Sequence, residues 1–133
     1  FRPSAVPLVV VSHTALRLLA LALGQRREGW AALARRPDME RTLRAAPPPS
    51  TTVVVLDVAP ATRRRRIATR IRSGAVDPFD RYMLADSDRA ERIEHCLVEL
   101  ATRYLNATVI ANDDLDEASL EAALTQAIRS AAS

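Results

Sequence analysis

Three short apolar runs divide the chain, and each of them predicts a buried β-strand. They occupy residues 7–11, 52–56 and 107–111, are rich in Val, Ile and Thr, and do not alternate strictly with polar residues. A run of this kind is typical of a strand covered on both faces, as in a parallel sheet between helices. Helical stretches separate the runs. The pattern therefore predicts an α/β fold, a three-layer parallel sheet with flanking helices.

Local signals in residues 1–50 place the first helices. Thr14 caps a segment that runs to Leu23 and is closed by Gly24. A segment over residues 30–35 ends at Pro37, where the ring removes an amide donor. Asp38 then caps a further turn or two, which ends near Arg44. Residues 47–50 are a stiff connector to the second strand.

The second part of the chain has the stronger helix signals. Pro60 suits the first turn of a helix that runs to about Ser73 and is ended by Gly74. Asp86 or Ser87 caps the most regular helix, and Asp116 caps the last one. The regular helix has an apolar stripe at three- and four-residue steps, made of Ala90, Ile93, Leu97, Leu100 and Tyr104.

Length and composition bound the function. The 133 residues predict a single α/β domain or domain fragment, with a strand and helices over 1–50 and a lid with a C-terminal βαβα part over 51–133. All 19 basic residues are Arg, so the chain supplies no Lys for a P-loop, a Schiff base or a general base. The net charge of +3 is concentrated at residues 63–66, which suits a polyanion or solvent.

The reactive side chains other than arginine favour structural roles. Cys96 is the one cysteine, and its place in an apolar helical pattern predicts a core residue. His13 follows a strand, where a turn or capping role is favoured over a base, and His95 is expected at the surface. No His, Asp and Glu spacing indicates a zinc site, and helix capping by Asp114 or Asp116 explains the acidic segment 112–117 better than a bound cation does.

Polar residues interrupt the apolar N-terminal stretch, so we do not expect a membrane span, and we expect a cytoplasmic protein. Ser12, His13, Thr14 and Arg17 fall within residues 8–23, where a spanning helix would be continuously apolar. A strand, a turn and a helix explain this stretch better than a signal peptide does.

The arginines after the second strand are the main candidates for chemistry. That strand ends near Asp57, and ligands of open α/β sheets bind beyond such ends. Arg63, Arg66 and Arg70 share one helix face, and the loop that follows brings Arg81 to the same region. Arginines beside phosphates offset the charge that develops in phosphoryl transfer. The alternative is that these arginines form a solvated helix face, and Arg66 and Arg70 are the residues that fit this alternative least well.

An ordered set of motifs resembles the thymidylate kinase family. Residues 55–60 read Val-Leu-Asp-Val-Ala-Pro, Arg66 and Ile67 follow, then Arg70, then residues 77–80, Asp-Pro-Phe-Asp. In that family a strand ending in Leu-Asp-Val leads to a helix with Glu-Arg-Ile and a lid with Asp-Arg-Phe-Glu. The later helix, the strand at 108–111 and Asn112 continue the likeness, which covers roughly residues 52–128.

The resemblance implies a P-loop kinase fold that moves a phosphoryl group from ATP, with Mg²⁺, to a nucleoside monophosphate. It implies that Arg70 lies against the ATP adenine and that Asn112 lies in the loop edging that base. Arg66 and Arg81 would lie near the lid and the phosphates as catalytic residues. No protein metal ligand follows from it. The implied partner is a nucleotide substrate.

The chain departs from the family pattern at three places. Pro78 stands where the lid pattern has Arg, unless Arg81 supplies it. Ser12 and His13 stand where the Asp-Arg pair handles the acceptor phosphate, and Arg17 is the nearest substitute. With 3 Gly and no Lys, the chain holds no Gly-x-x-x-x-Gly-Lys-Ser/Thr motif.

Three explanations therefore stay open. The chain is the C-terminal part of a longer kinase, which we favour, a degenerate relative without catalysis, or another α/β protein. In the first case an N-terminal half or a second copy would complete the sheet, since an unpaired edge invites association. In the second the chain is a pseudo-kinase or interaction module. Nucleic acid is not favoured as a partner, because no aromatic platform for single strands is visible.

Overall fold

The computed structural model describes residues 15–26, 29–45, 47, 51–75 and 77–131. Two strands lie at Val54–Asp57 (β1) and Thr108–Ala111 (β2). The helices of these residues are Ala15–Gly24 (α1), Trp30–Ala34 (α2), Pro37–Ala45 (α3), Pro60–Arg72 (α4), Pro78–Ala85 (α5), Ser87–Tyr104 (α6) and Glu117–Ala131 (α7).

The sheet of the described residues is parallel and has two strands. Val54 pairs with Thr108 and Asp57 with Ala111, so both strands end at the same edge. The fold is thus mixed α/β and mostly helical, and the described residues do not form the expected three-layer parallel sheet. The first predicted strand, residues 7–11, lies outside them. Val55 is buried with residues of α6, whereas Leu56, which faces the other side, keeps 43% of its surface exposed.

The main core lies where α1, α2, α3 and β1 meet α6. Its buried members are Leu16, Ala20, Leu23, Ala34, Leu43, Val55, Cys96, Leu100 and Ala101. Gly24 lets α1 approach α6 very closely, because a Cβ there would lie 2.5 Å from the Cα of Ile93. A second cluster holds α4 and α5 against α6 and comprises Ile67, Met83, Ala90 and Ile93.

Several predicted boundaries are confirmed. Pro60 begins α4, and Gly74 follows it with a φ of 85°, a conformation that favours glycine. The carboxylate of Asp86 accepts from the N–H of Arg89 at the start of α6. Asp116 accepts from the N–H of Ser119 at 2.7 Å. The residues predicted from local chemistry thus mark both ends of α4 and the starts of α6 and α7.

Two expectations about local structure were wrong. The lid region was expected to be a loop, but it contains α5, because Asp77 accepts from the N–H of Phe79 and Pro78 occupies the first turn. Asp38 does not cap α3. It lies inside the helix after Pro37 and accepts from Nε of Arg36 at 3.1 Å.

No helix among the described residues is long and apolar enough to cross a membrane.

Candidate functional site at the carboxyl ends of the strands

Arg66 joins the arginine helix to the loop that follows β2. Its Nη2 donates to the carbonyl oxygen of Asn112 at 2.7 Å and to that of Asp113 at 3.2 Å. The N–H of Asn112 in turn donates to the carbonyl oxygen of Asp57 at 2.8 Å. One guanidinium therefore fixes the loop after β2 against α4, and two of the predicted site residues are in contact.

Asp113 also holds the loop after β2 against the start of α4. Its Oδ1 accepts from the N–H of Ala59 at 2.8 Å, immediately before α4 begins. This backbone hydrogen bond is the main reason that the pKa of Asp113 lies below its usual value, with Arg66 and Arg65 adding to the effect. A carboxylate at the start of a helix also interacts favourably with the helix dipole. The acidic loop thus serves α4 as well as α7.

Arg63 and Glu94 form a shielded pair beside the strand ends. Arg63 Nε lies 3.8 Å from Glu94 Oε1, and their side chains keep only 13% and 26% of their surface exposed. Arg63 Nη2 also donates to the carbonyl oxygen of Val58 at 3.3 Å. Burial raises the pKa of Glu94, while Arg63 acts in the opposite direction. The arrangement holds the first turn of α4 against α6.

An open groove of about 990 Å³ runs from the strand ends along α6. Such an edge is where ligands of α/β sheets bind. Its charged lining is mostly acidic, with the carboxylates of Asp57, Glu91, Glu94, Glu99 and Asp113. Arg63, Arg103 and His95 are the basic lining residues. An anion gains little from this lining, so the groove itself is not suited to phosphate.

Arg70 and Asp80 link α4 to α5. Arg70 Nε and Nη2 donate to Asp80 Oδ2 and Oδ1 at 2.9 and 2.7 Å, the two-pronged geometry that suits a guanidinium and a carboxylate. These hydrogen bonds are the main cause of a lowered pKa for Asp80 and a raised pKa for Arg70. The Arg70 side chain remains 51% exposed, so part of its guanidinium stays open to a ligand.

The rings of α5 are covered by arginines. Arg17 of α1 lies over the ring of Phe79 at 4.8 Å, and Arg89 of α6 lies over the ring of Tyr82 at 3.6 Å. These cation–π contacts fix the lid helix against the rest of the domain. Arg81, on the same helix, is exposed. Within the described residues the Arg81 side chain forms no ion pair or hydrogen bond.

The structure brings the predicted site residues together in part. Arg66 contacts the main chain of Asn112, and Arg70 is tied to the lid helix. In the described residues, neither Arg70 nor Arg81 contacts the loop after β2. None of the four lines the groove.

Sequence reasoning missed Glu94, which lies one turn before the apolar position Leu97 and was given no role. Its signal is its place on α6, since it follows the buried Ile93 and precedes the buried Cys96 by two residues. A polar residue between core positions of a helix lies beside the core and needs a partner. The partner, Arg63, is 31 residues away, so spacing could not reveal it.

The structure agrees with the predictions for the cysteine and for the second histidine. Cys96 is completely buried, and burial raises its pKa to about 11. His95 lies at the surface with its Nε2 3.8 Å from Glu99 Oε2. The described residues hold no group of three His, Cys, Asp or Glu side chains able to bind a metal ion. Thr14, Ser12 and His13 lie outside the described residues.

Comparison of the chain with protein-family models, with curated proteins and with solved structures finds no match.

Proposed function

We propose that this chain is the lid-bearing part of a thymidylate-kinase-like nucleoside monophosphate kinase. The reaction moves the γ-phosphoryl group of ATP to an oxygen of the monophosphate, which leaves ADP and a nucleoside diphosphate. In this proposal β1 and β2 belong to a larger parallel sheet with helices on both faces. The chain contributes the lid and the edge of the ATP site.

The contact between Arg66 and the main chain of Asn112 carries the proposal. The motif resemblance implies a role for each residue, although 46 positions separate them along the chain. Parallel pairing of β1 with β2 places the start of α4 and the loop after β2 at one edge. A nucleotide at that edge, with its phosphates outside the acidic groove, would meet the arginine helix and the Asn112 loop together, as the proposal requires.

The lid arginines fit a role in charge stabilisation. Arg81 is exposed on α5, and Arg70 uses its Nε and one Nη for Asp80. The open face of a guanidinium held in this way can stack on a planar base. A cation held near the γ-phosphate strengthens its interaction as negative charge develops in the transition state.

The sequence supplies no phosphate cradle, and the residues that the structure describes supply no Mg²⁺ site. The sequence has no Walker A motif, and the described residues contain no cluster able to hold a metal ion. When bound with ATP, Mg²⁺ would neutralise part of the phosphate charge. The groups that hold it must come from elsewhere in the enzyme. The 133 residues alone are therefore expected to show no turnover.

The test is phosphoryl transfer from ATP to dTMP by the product of the native gene, including any residues encoded before Phe1. We expect a Walker A motif there and measurable turnover. R81A should lower kcat by about 100-fold, as loss of one charge-stabilising donor does. R44A is the matched control, because Arg44 lies on α3 and pairs with Glu40. Absence of the motif from the gene, or turnover by the 133 residues alone, would overturn the proposal.

A further inference from the structure

The six arginines of α4 fall into two sets. The inward set is bonded to other elements and consists of Arg63, Arg66 and Arg70. The outward set is exposed and consists of Arg64, Arg65 and Arg72. Within the described part of the chain, no ion pair involves the outward set. The inward set thus fixes the face that α4 presents to solvent.

The outward set forms a narrow cationic stripe. At about 100° per residue, Arg64 and Arg65 lie about 100° apart, and Arg72 lies between them in projection. From Arg64 to Arg72 the helix rises about 12 Å. Arg72 Nη2 donates to the hydroxyl of Thr69 at 3.3 Å, which holds this side chain along the helix surface. Three guanidinium groups are therefore presented on one side of α4.

Little negative charge offsets this stripe. Helix α4 contains no acidic residue. The carboxylate of Asp113, whose pKa Arg65 helps to lower, offsets part of the charge of that one arginine of the outward set. Arg70, near the end of the helix, has its charge balanced by Asp80. The uncompensated charge of the helix is thus concentrated on its outward set.

We infer that the outward set of α4 binds the phosphodiester backbone of double-stranded nucleic acid without reading its sequence. Guanidinium groups match phosphate oxygens in two-pronged geometry. A rise of about 12 Å corresponds to three or four nucleotides at about 3.4 Å each, so each arginine can reach its own phosphate. This inference does not depend on the proposed kinase function, because it uses different arginines.

The surroundings favour a duplex over a single strand. Single-strand binders stack bases on exposed aromatic rings. Helix α4 has no aromatic residue, and the rings of Phe79 and Tyr82 are covered by Arg17 and Arg89. From the sequence, nucleic acid is not favoured as a partner because no aromatic platform for single strands is visible. The phosphates of a duplex need only cations, so the lack of exposed rings does not weigh against duplex binding.

The same surface is poorly suited to a membrane. Helices that lie on bilayers insert large apolar side chains below their basic residues. The exposed positions of α4 next to the stripe are Pro60, Ala61 and Thr69. Its two large apolar residues pack into the domain, Ile67 buried and Ile71 partly buried against the second cluster. A lipid surface would meet charge without an apolar anchor.

The test measures binding of the chain to a fluorescein-labelled 20-base-pair DNA duplex by anisotropy, at 50 and 200 mM salt. With three phosphates neutralised, the affinity should fall about 40-fold over this range. The triple variant R64A/R65A/R72A should lose this dependence and bind at least ten-fold more weakly at 50 mM. The triple variant R36A/R41A/R44A removes the same charge from exposed positions of α3 and the residue before it, and it should keep most of the salt dependence.

A second variant and a second probe keep the inference falsifiable. R64K/R65K/R72K keeps the charges, and it should retain the salt dependence with a native circular dichroism spectrum. Binding without salt dependence, or equal losses in the α3 and α4 variants, would overturn the inference. So would tighter binding to phosphatidylserine vesicles than to the duplex. These results leave the kinase assay unaffected, so the two ideas fail separately.

Discussion

Arg70 and Asp80 hold helices α4 and α5 together across a turn, through hydrogen bonds of 2.9 and 2.7 Å to both carboxylate oxygens. Asp80 is the more buried partner, with 11% of its side chain exposed against 51% for Arg70. The pair therefore lies at the edge of the core, where solvent reaches one partner only. Its contribution to stability should be moderate.

Removing this pair tests how firmly the lid helix is held. D80N should lower the free energy of unfolding by about 1 kcal/mol, since a charge-assisted pair with one exposed partner is weaker than a buried one. R70K should lose most of the same amount, because an ammonium cannot bond both oxygens in the plane of the carboxylate. Urea unfolding measures both. Stability equal to that of the original chain in both variants would show that the pair does not hold α5.

The same carboxylate predicts a dependence on pH. Arg70 lowers the pKa of Asp80 in the folded state, so the pair stabilises fully above the unfolded pKa of about 4. That stability is lost as the pH falls through the lower folded pKa. The difference in unfolding free energy between the original chain and D80N should therefore be constant from pH 5 to 7 and shrink below pH 4. A difference that grows on acidification would contradict this assignment.

Arg63 and Glu94 should show strong coupling in a double-mutant cycle. E94Q leaves the shielded guanidinium without its ion pair, and R63M leaves a shielded carboxylate. Each single change should cost about 1–3 kcal/mol. The double variant R63M/E94Q should cost less than the sum, because no unpaired charge remains. Additive losses would mean that the 3.8 Å contact contributes nothing.

Gly24 and Gly74 should respond differently to alanine. G24A places a Cβ 2.5 Å from the Cα of Ile93, so α1 must move from α6, at a cost of about 3 kcal/mol. G74A meets no neighbouring atom, but its φ of 85° is strained for alanine, at a cost of about 1 kcal/mol. Thermal unfolding measures both. The reverse order would contradict the close helix crossing.

Cys96 should be unreactive until the domain opens. It is completely buried, and a pKa of about 11 leaves almost no thiolate at pH 8. Labelling with a thiol reagent at pH 8 should be slow in buffer and complete within minutes in urea. Variant L100A, which opens a cavity one turn away in the same core, should speed labelling in buffer. Rapid labelling of the original chain would contradict the burial of this thiol.

Local chemistry predicted much of this fold. Pro60, Gly74, Asp86 and Asp116 mark element ends because each acts on its own backbone within a few residues. The lid helix was missed, although Asp77 and Pro78 carry the signal of a helix start.

Contacts between distant segments lay beyond the sequence. Arg66 contacts the main chain of Asn112, and Arg63 contacts Glu94, only when segments 46 and 31 residues apart come together in the folded domain. Periodicity placed Arg63, Arg66 and Arg70 on one face of the helix, which is correct. It could not say that each has a different partner. The acidic lining of the groove arises in the same way, from the end of β1, from α6 and from the loop after β2.

The division of the α4 arginines has a consequence for mutational tolerance. A library of every substitution along this helix, selected for folding alone, should retain arginine with a three- and four-residue rhythm at positions 63, 66 and 70. Selection of the same library for capture by a DNA duplex should instead retain positive charge at positions 64, 65 and 72. The two selections would then retain different, alternating positions of the same short helix, one set for folding and the other for duplex binding.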